Sequence, residues 1–469
     1  MNAPLLGLAL SLLLASASAQ YVSPSPKPVA GTAGPNLAQA ASTSVDAAYS
    51  PNTSNILPSW NSFIKAYGTK YADASCTLFP VIGPNTWGWV ELAAGVDAAP
   101  AGLPANTDSI EFTMATMAQT GQTTVRIQAY GLEPSFALQT APGVYNEAAW
   151  RSIDYILATA AKYRVKVIYT IANNWINTDG PATYVEWATG TNNTDLFFSN
   201  AKALQLFQNH LNVTANRVNS ITGVVYKNDP TIFAWDLLNE PRCTCYPSQT
   251  TNLATLPASC QPSCADSITL WSGSNAHYLR AIDTNHQVLV GNEGFWGYYS
   301  PLKSNNPSPT NNWAALTGQN WTAQNSFENM TTAAIHYWPD TWGDNTTAFE
   351  TQWLASHQQQ ATLLGKPLVL EEFGKATLQA SVSDATRTAQ RLPIFTQIYT
   401  SFNQSFYGNG SLQGVMYWQW ENQPQNDNIN ILGIAANDGL FTSVIVPNSK
   451  AALAYAKGQT VAGCKPVSG

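Results

Sequence analysis

Eight short, apolar, β-rich runs recur along the chain, and most are separated by segments long enough to hold a helix. They are LFPVIG (78–83), TTVRIQA (123–129), VKVIYTIA (165–172), TIFAWDLL (231–238), QVLVG (287–291), TAAIHY (332–337), PLVLEE (367–372) and GVMYWQW (414–420). Between them lie segments of helical period, among them EAAWRSIDYILATAAKYR (147–164) and DLFFSNAKALQLFQNHLNVTANRVNSI (195–221). Parallel strands need a crossover to reach one another, so this alternation predicts a parallel sheet wrapped by helices. Eight repeats predict its closure into a single (β/α)8 barrel of the α/β class. With 469 residues, 45% of them hydrophobic, the chain is long enough to bury so large a core.

The ends of the chain have a different texture. Residues 1–19 carry an apolar run from Leu5 to Leu14 and then Ala17-Ser18-Ala19, the pattern of a secretory signal peptide, although no Lys or Arg precedes the run. Residues 20–57 are rich in Ser, Pro, Ala, Thr and Asn and read as a linker or disordered tail. From 58 to 469 no further break of that kind occurs, which leaves one large domain. Export implies that the six cysteines are oxidised, with fifteen pairings possible. Cys243, Cys245, Cys260 and Cys264 bracket an irregular segment that reads as a stapled loop after the fourth strand, and Cys76 and Cys464 are left for each other. A zinc site is the alternative for the four, but C-x-C and C-x3-C match common zinc knuckles poorly. Eight N-x-S/T sequons, at Asn52, Asn192, Asn212, Asn320, Asn329, Asn345, Asn403 and Asn409, agree with a glycosylating secretory route. Beyond the leader no run is long and apolar enough for a membrane span.

Only 10% of residues are charged and the net charge is -7, which excludes a basic nucleic-acid surface and favours a neutral partner. Sixteen Trp, many beside turn residues, suit flat ligands. In a barrel the active site forms at the carboxyl ends of the strands. Those ends read Asn85, Arg126, Asn174, Asn239 with Glu240, Glu293, His336, Glu372 and the group Trp418 to Trp420. One polar residue at a strand end is an ordinary turn. Amides, acids, a base and aromatics at all eight ends form a site.

Glu240 and Glu372 end the fourth and seventh runs and would face one another across the mouth. Cleaving an acetal needs a proton for the leaving oxygen and a group to capture the anomeric carbon, and two carboxyls ~5 to 5.5 Å apart supply both with retention of configuration. The apolar strand before Glu240 and the charge on Glu372 are expected to keep Glu240 protonated, while Arg126 holds Glu372 ionised. Glu371 should point to the other face of its strand and act structurally.

NEP at 239–241 with RC after it, EEFG at 371–374, VR at 125–126, NNW at 173–175, YVEWA at 184–188, NH at 209–210, EGFWG at 293–297, YWQW at 417–420 and above all RVNSITGVVYKNDPTIFAW at 217–235 resemble glycoside hydrolase family 5. Within it the likeness is greatest to plant and fungal endo-β-1,4-mannanases and covers nearly the whole domain. It implies a retaining catalytic domain with Glu240 as acid/base and Glu372 as nucleophile. It also implies Asn239 as partner of the sugar 2-hydroxyl, and Arg126 and His336 as supports of the pair. The chain departs from the family where HYWPDTW (336–342) places Trp338 at a usual Tyr, and where AWDL replaces AWEL.

Trp87, Trp175, Trp296, Trp338 and Trp418 are candidate sugar platforms, because the C–H faces of a pyranose pack on indole rings. His210, His277, His286 and His357 lack paired metal spacing and read as packing or surface residues; no metal and no cofactor is expected. QNDNIN (425–430) reads as a plain loop rather than a calcium loop. The expectation is a secreted, extracellular, monomeric endo-β-1,4-mannanase acting on polysaccharide. The alternatives are a β-1,4-glucanase with the same machinery, or a non-catalytic carbohydrate-binding barrel.

Overall fold

The computed structural model of the chain describes residues 60–95, 108–243, 263–308, 313–377, 382–421 and 431–466. The leader and tail expected over 1–19 and 20–57, together with Cys245, Cys260 and the 425–430 loop, lie outside the described residues.

All eight apolar runs become strands: β1 (Val81–Pro84), β2 (Thr124–Gln128), β3 (Lys166–Thr170), β4 (Ile232–Asn239), β5 (Gln287–Gly291), β6 (Ala333–Tyr337), β7 (Leu368–Phe373) and β8 (Leu412–Tyr417). Every residue in them is buried, as parallel strands covered on both faces must be. Strands β2 to β5 pair in parallel in chain order, and β6, β7, β8 and β1 do the same. Backbone hydrogen bonds join the two arcs. Thr123 N donates to Ile82 O at 2.9 Å and Asn85 bridges Arg126 on one side; Thr332 N donates to Val288 O at 3.2 Å and His336 N to Glu293 O at 3.0 Å on the other. The ring is a (β/α)8 barrel. Gly83 is required at the β1–β2 seam, because a Cβ there would overlap the Thr124 carbonyl oxygen.

Helices α1 (Asp108–Thr120), α2 (Glu147–Tyr163), α3 (Ala201–Asn216), α4 (Ser263–Ile282), the short α5 (Trp321–Asn325), α6 (Thr347–Leu364), α7 (Asp384–Tyr407) and α8 (Val446–Lys457) follow the eight strands in turn. The segment expected as one helix over 195–221 is divided. A 3-10 turn (Thr194–Phe198) precedes α3, whose start is fixed by Asn200 accepting from Lys202 N (2.9 Å) and Ala203 N (3.0 Å). After Asn216 the chain turns around buried Asp154, which binds Arg217 at 2.6 Å and the Tyr226 hydroxyl at 2.6 Å. That polar anchor outcompetes continued helix.

An antiparallel hairpin (Lys65–Tyr67 with Lys70–Ala72) closes the amino end of the barrel. Tyr71 and Phe79 pack on Phe233, near the start of β4, at 5.1 and 6.0 Å between ring centroids. The opposite end is left for polar groups. Cys76–Cys464 ties the segment after the hairpin to the chain's last described turn, and Cys243–Cys264 joins the residue after Arg242 to the start of α4. With their sulfurs bonded to each other, Cys243 and Cys264 follow the stapled-loop reading rather than the zinc alternative.

Candidate active site

The charge at the centre of the mouth is Arg126, whose guanidinium is wholly buried. A buried cation persists only where anions and acceptors surround it. Here Nη2 donates to Asp236 Oδ2 at 2.7 Å and Asn239 Oδ1 at 2.8 Å, Nη1 donates to Asn85 Oδ1 at 3.1 Å and to Glu372, and Nε lies 3.1 Å from Glu371 Oε1. Asp236 is the acid of AWDL. Thr170 Oγ1 and Gly291 N also donate to it, at 2.9 and 2.8 Å, so it links β2, β3, β4 and β5 around one carboxylate.

β4 ends at Asn239, and the backbone of Glu240 enters the left-handed region at φ 49° directly before Pro241. Without that turn, alternation would send one of two neighbours away from the mouth. With it, both reach the site. Asn239 Oδ1 accepts from Arg126 and its Nδ2 donates to Asn173 Oδ1 at 3.2 Å. Glu240 Oε1 accepts from His336 Nδ1 at 2.7 Å and Oε2 from Trp175 Nε1 at 2.6 Å. Glu372 stands opposite, with Oε2 at 3.5 Å from the same His336 nitrogen. One carboxylate oxygen from each acid and a ring nitrogen of His336 lie within 4.8 Å of one another.

The electrostatics differ from the sequence expectation. Burial pushes the Glu240 carboxyl up, but the hydrogen bond and charge of His336, with Arg242 and Trp175, outweigh it and leave the group below the usual carboxylate range. Burial also pushes Glu372 up, and there Glu240 and Glu371 add enough repulsion to exceed the pull of His336 and Arg126, so it ends above that range. Burial works against the His336 imidazolium, yet Glu372, Glu240 and Glu371 raise it to about 10. The expectation counted burial and the opposing acid but not a cation 2.7 Å from Glu240. Both shifts favour an imidazolium at His336 beside an ionised Glu240.

Glu371 is a second correction. It was expected to face away, but the register slips beside it: Ile335 pairs with Leu370 while the next residue, His336, pairs with Glu372. The resulting bulge leaves Glu371 inside, against Arg126 and His336. Trp296 is a third. It is fully buried, stacked on His357 at 4.4 Å and edge-on to Trp321 at 5.4 Å, so it is core and has no face for a sugar. Trp87, Trp338 and Trp418 are half-buried and contiguous, with Trp418 5.8 Å from Trp87 and 6.2 Å from Trp338. Trp175 is exposed, and Arg242 lies over its ring at 5.0 Å. The Asn173 side chain meets the Asn239 side chain, whereas Asn174 reaches Asn239 through its backbone, donating its N–H to Asn239 O at 3.1 Å.

Glu293 was legible as the end of the fifth run, whereas Asp236, Asn173 and Arg242 stood only inside AWDL, NNW and the RC after NEP and were given no role. Asp236 had a legible signal, because an acid in the middle of FAWDLL must be neutralised inside the core. Glu293, buried against Glu240 and Arg242, is pushed up to about 7 by burial.

Two buried carboxylates with a histidine between them, at the carboxyl end of a closed barrel and beside half-buried and exposed indole rings, define a barrel enzyme of the glycosidase class. Residues 61–432 match the family described as GH family 5 beta-mannosidase-like, and the chain belongs to that family. It is 31% identical over 333 residues to mannan endo-1,4-beta-mannosidase 3 of Arabidopsis thaliana, an alignment covering 69% of this chain and 75% of the relative. It is 32% identical to mannan endo-1,4-beta-mannosidase 4 of Solanum lycopersicum over 63% of this chain and 69% of that one. The fold is also that of the endo-1,4-beta-mannanase from Rhizomucor miehei, with a TM-score of 0.66 at 24% identity over 83% of this chain and 99% of that one.

Proposed function

We propose that the chain is a secreted, monomeric, retaining endo-β-1,4-mannanase that cleaves internal bonds of mannan, glucomannan or galactomannan. Its catalytic domain would span 58–469, behind a cleaved leader and a Ser/Pro/Ala-rich tail. The plant relatives' names support the substrate class. The observation that supports the mechanism is the spacing of Glu240 and Glu372, with one oxygen of each within 4.8 Å, closer to the separation of a retaining pair than to the wider gap an inverting enzyme keeps for its water.

In the first step Glu372 attacks the anomeric carbon while the Glu240–His336 pair supplies its shared proton to the leaving oxygen through Glu240. Arg126 keeps an anion at Glu372 tolerable in a dry site, and the positive charge growing on the sugar favours the ionised nucleophile further. Forming the glycosyl ester removes that negative charge, and Glu240 then takes a proton from the water that resolves the intermediate. Asn239 has one Nδ2 proton left for the sugar 2-hydroxyl. Trp87, Trp338 and Trp418 offer a continuous apolar surface for neighbouring mannose rings.

Reducing-sugar release from galactomannan, with none from carboxymethyl cellulose, is expected; the reverse preference indicates a glucanase, and no release from either a binding protein. Glu240→Gln and Glu372→Gln each should lower activity on polymer by ~10³-fold or more. With a dinitrophenyl mannoside the leaving group needs no proton, so azide should restore turnover to Glu240→Gln and not to Glu372→Gln. Rescue of the opposite variant would reverse the two roles.

A further inference from the structure

A third carboxylate lies behind the reacting pair. The bulge in β7 turns the Glu371 side chain inward, and the backbone is pinned there by Asn85, whose Nδ2 donates to Glu371 O at 2.8 Å while its Oδ1 accepts from Arg126. The carboxylate is fully buried. Among the described residues its ion pairs are with Arg126 Nε at 3.1 Å and His336 Nε2 at 3.6 Å, the two residues that also hold Glu372.

His336 is therefore bracketed. Its Nδ1 faces Glu240 from β4 and Glu372 from β7, and its Nε2 faces Glu371. A neutral imidazole has one nitrogen that carries no proton, and here that bare lone pair would point at a carboxylate on whichever side it fell. Only the doubly protonated ring turns an N–H toward a carboxylate on both sides. The other charged groups packed round it are Arg126 from β2, Asp236 from β4, and the Arg242–Glu293 pair beyond β4 and β5. Arg126 is shared among Asp236, Glu371 and Glu372, and Arg242 is paired with Glu293, which leaves Glu371 as the acid behind the ring on the side away from the substrate.

We propose that Glu371 is a positioning residue for this reaction: a buried anion that keeps both nitrogens of His336 protonated and shares Arg126 with the nucleophile, and so sets the pH range in which Glu240 and Glu372 can take opposite roles. This rests on the assignment of Glu240 and Glu372 as the reacting pair. Removing one negative charge eases proton loss from every neighbour. In Glu371→Gln the Arg126 guanidinium is shared by two acids, Asp236 and Glu372, instead of three, which lowers the acid limb of the pH profile, while the Glu240–His336 pair gives up its proton earlier, which lowers the alkaline limb.

The test is kcat/KM against pH on a soluble mannan oligosaccharide for the wild type, Glu371→Gln and Glu371→Asp. Both limbs should move to lower pH by about one unit in the Gln variant. The Asp variant, with its charge one methylene further off, should fall between. Limbs that stay in place, with only stability lost, would make Glu371 a purely structural residue and overturn the inference. Should the Gln variant not fold, ¹⁵N spectra of the His336 ring in the wild type and Glu371→Asp decide the matter without activity. A doubly protonated ring at pH 8 in the wild type, titrating earlier in the Asp variant, is expected; a neutral ring, or the same titration in both, refutes it. Full activity in Glu240→Gln or Glu372→Gln would instead refute the assignment of the pair and leave the ring's titration standing.

Discussion

Arg126 and His336 are two buried cations amid five acids, Asp236, Glu240, Glu293, Glu371 and Glu372, with Arg242 paired to one of them. The excess of anions means that the mouth retains protons above the pH at which isolated carboxyls lose them. Asp236, raised by burial and by Glu371 to about 6, shows the same tendency. The sign follows for the reaction. Glu372 attacks only when ionised, and its carboxyl is raised, so the acid limb of kcat/KM should lie above the ~4.3 of a free glutamate. The alkaline limb marks loss of the proton shared by Glu240 and His336, and with the imidazole raised to about 10 it should lie above the ~6.5 of a free histidine. A profile from about pH 3 to about pH 10 on soluble galactomannan checks both limbs, and an acid limb at or below ~4 would contradict the raised nucleophile. The identities of Glu240, Glu372, Arg126, Asn239 and His336 as mouth residues were legible from the strand ends. Their protonation was not, because it depends on a histidine and a glutamate brought close only by folding.

Elements obey local signals where those signals are strong. α3 starts at its asparagine cap, and α6 starts where Thr346 Oγ1 accepts from Phe349 N at 3.1 Å. The first turn of α6 also carries Glu350, which tertiary packing buries to 1% exposure and raises to about 8. An unfolded glutamate ionises near ~4.3, so between there and about 8 the unfolded chain binds fewer protons than the folded one. The stability associated with a neutral Glu350 is complete below that window and is lost as pH rises through it. Glu350→Gln, which cannot ionise, should lose less stability between pH 5 and pH 9 than the wild type, by on the order of a few kcal/mol in urea denaturation. Equal slopes for the two proteins would show that Glu350 is solvated after all.

At the scale of the molecule, structure and chemistry occupy opposite ends of the barrel. The hairpin and Cys76–Cys464 lie with the amino ends of the strands, and the reacting pair lies with the carboxyl ends. That disulfide spans 388 residues, so the restriction it places on the unfolded chain is large. Replacing both cysteines by Ala should lower unfolding free energy by about 2–5 kcal/mol and leave kcat on mannan unchanged. A fall in kcat measured well below the melting temperature would mean that strain at the bottom of the barrel reaches the mouth.

The chain's own pattern determined the barrel, because period-2 and period-3.6 hydrophobicity select strand and helix locally, and eight alternations have few ways to bury both faces of a sheet. It also determined which residues stand at the strand ends. What tertiary structure decided is where local periodicity breaks: a bulge turned Glu371 inward against alternation, a positive φ brought Glu240 beside Asn239, and packing on His357 took Trp296 into the core. Each depends on a neighbour far away in sequence. The proton inventory of the mouth depends on the same neighbours, since electric fields between groups act through space and not along the chain.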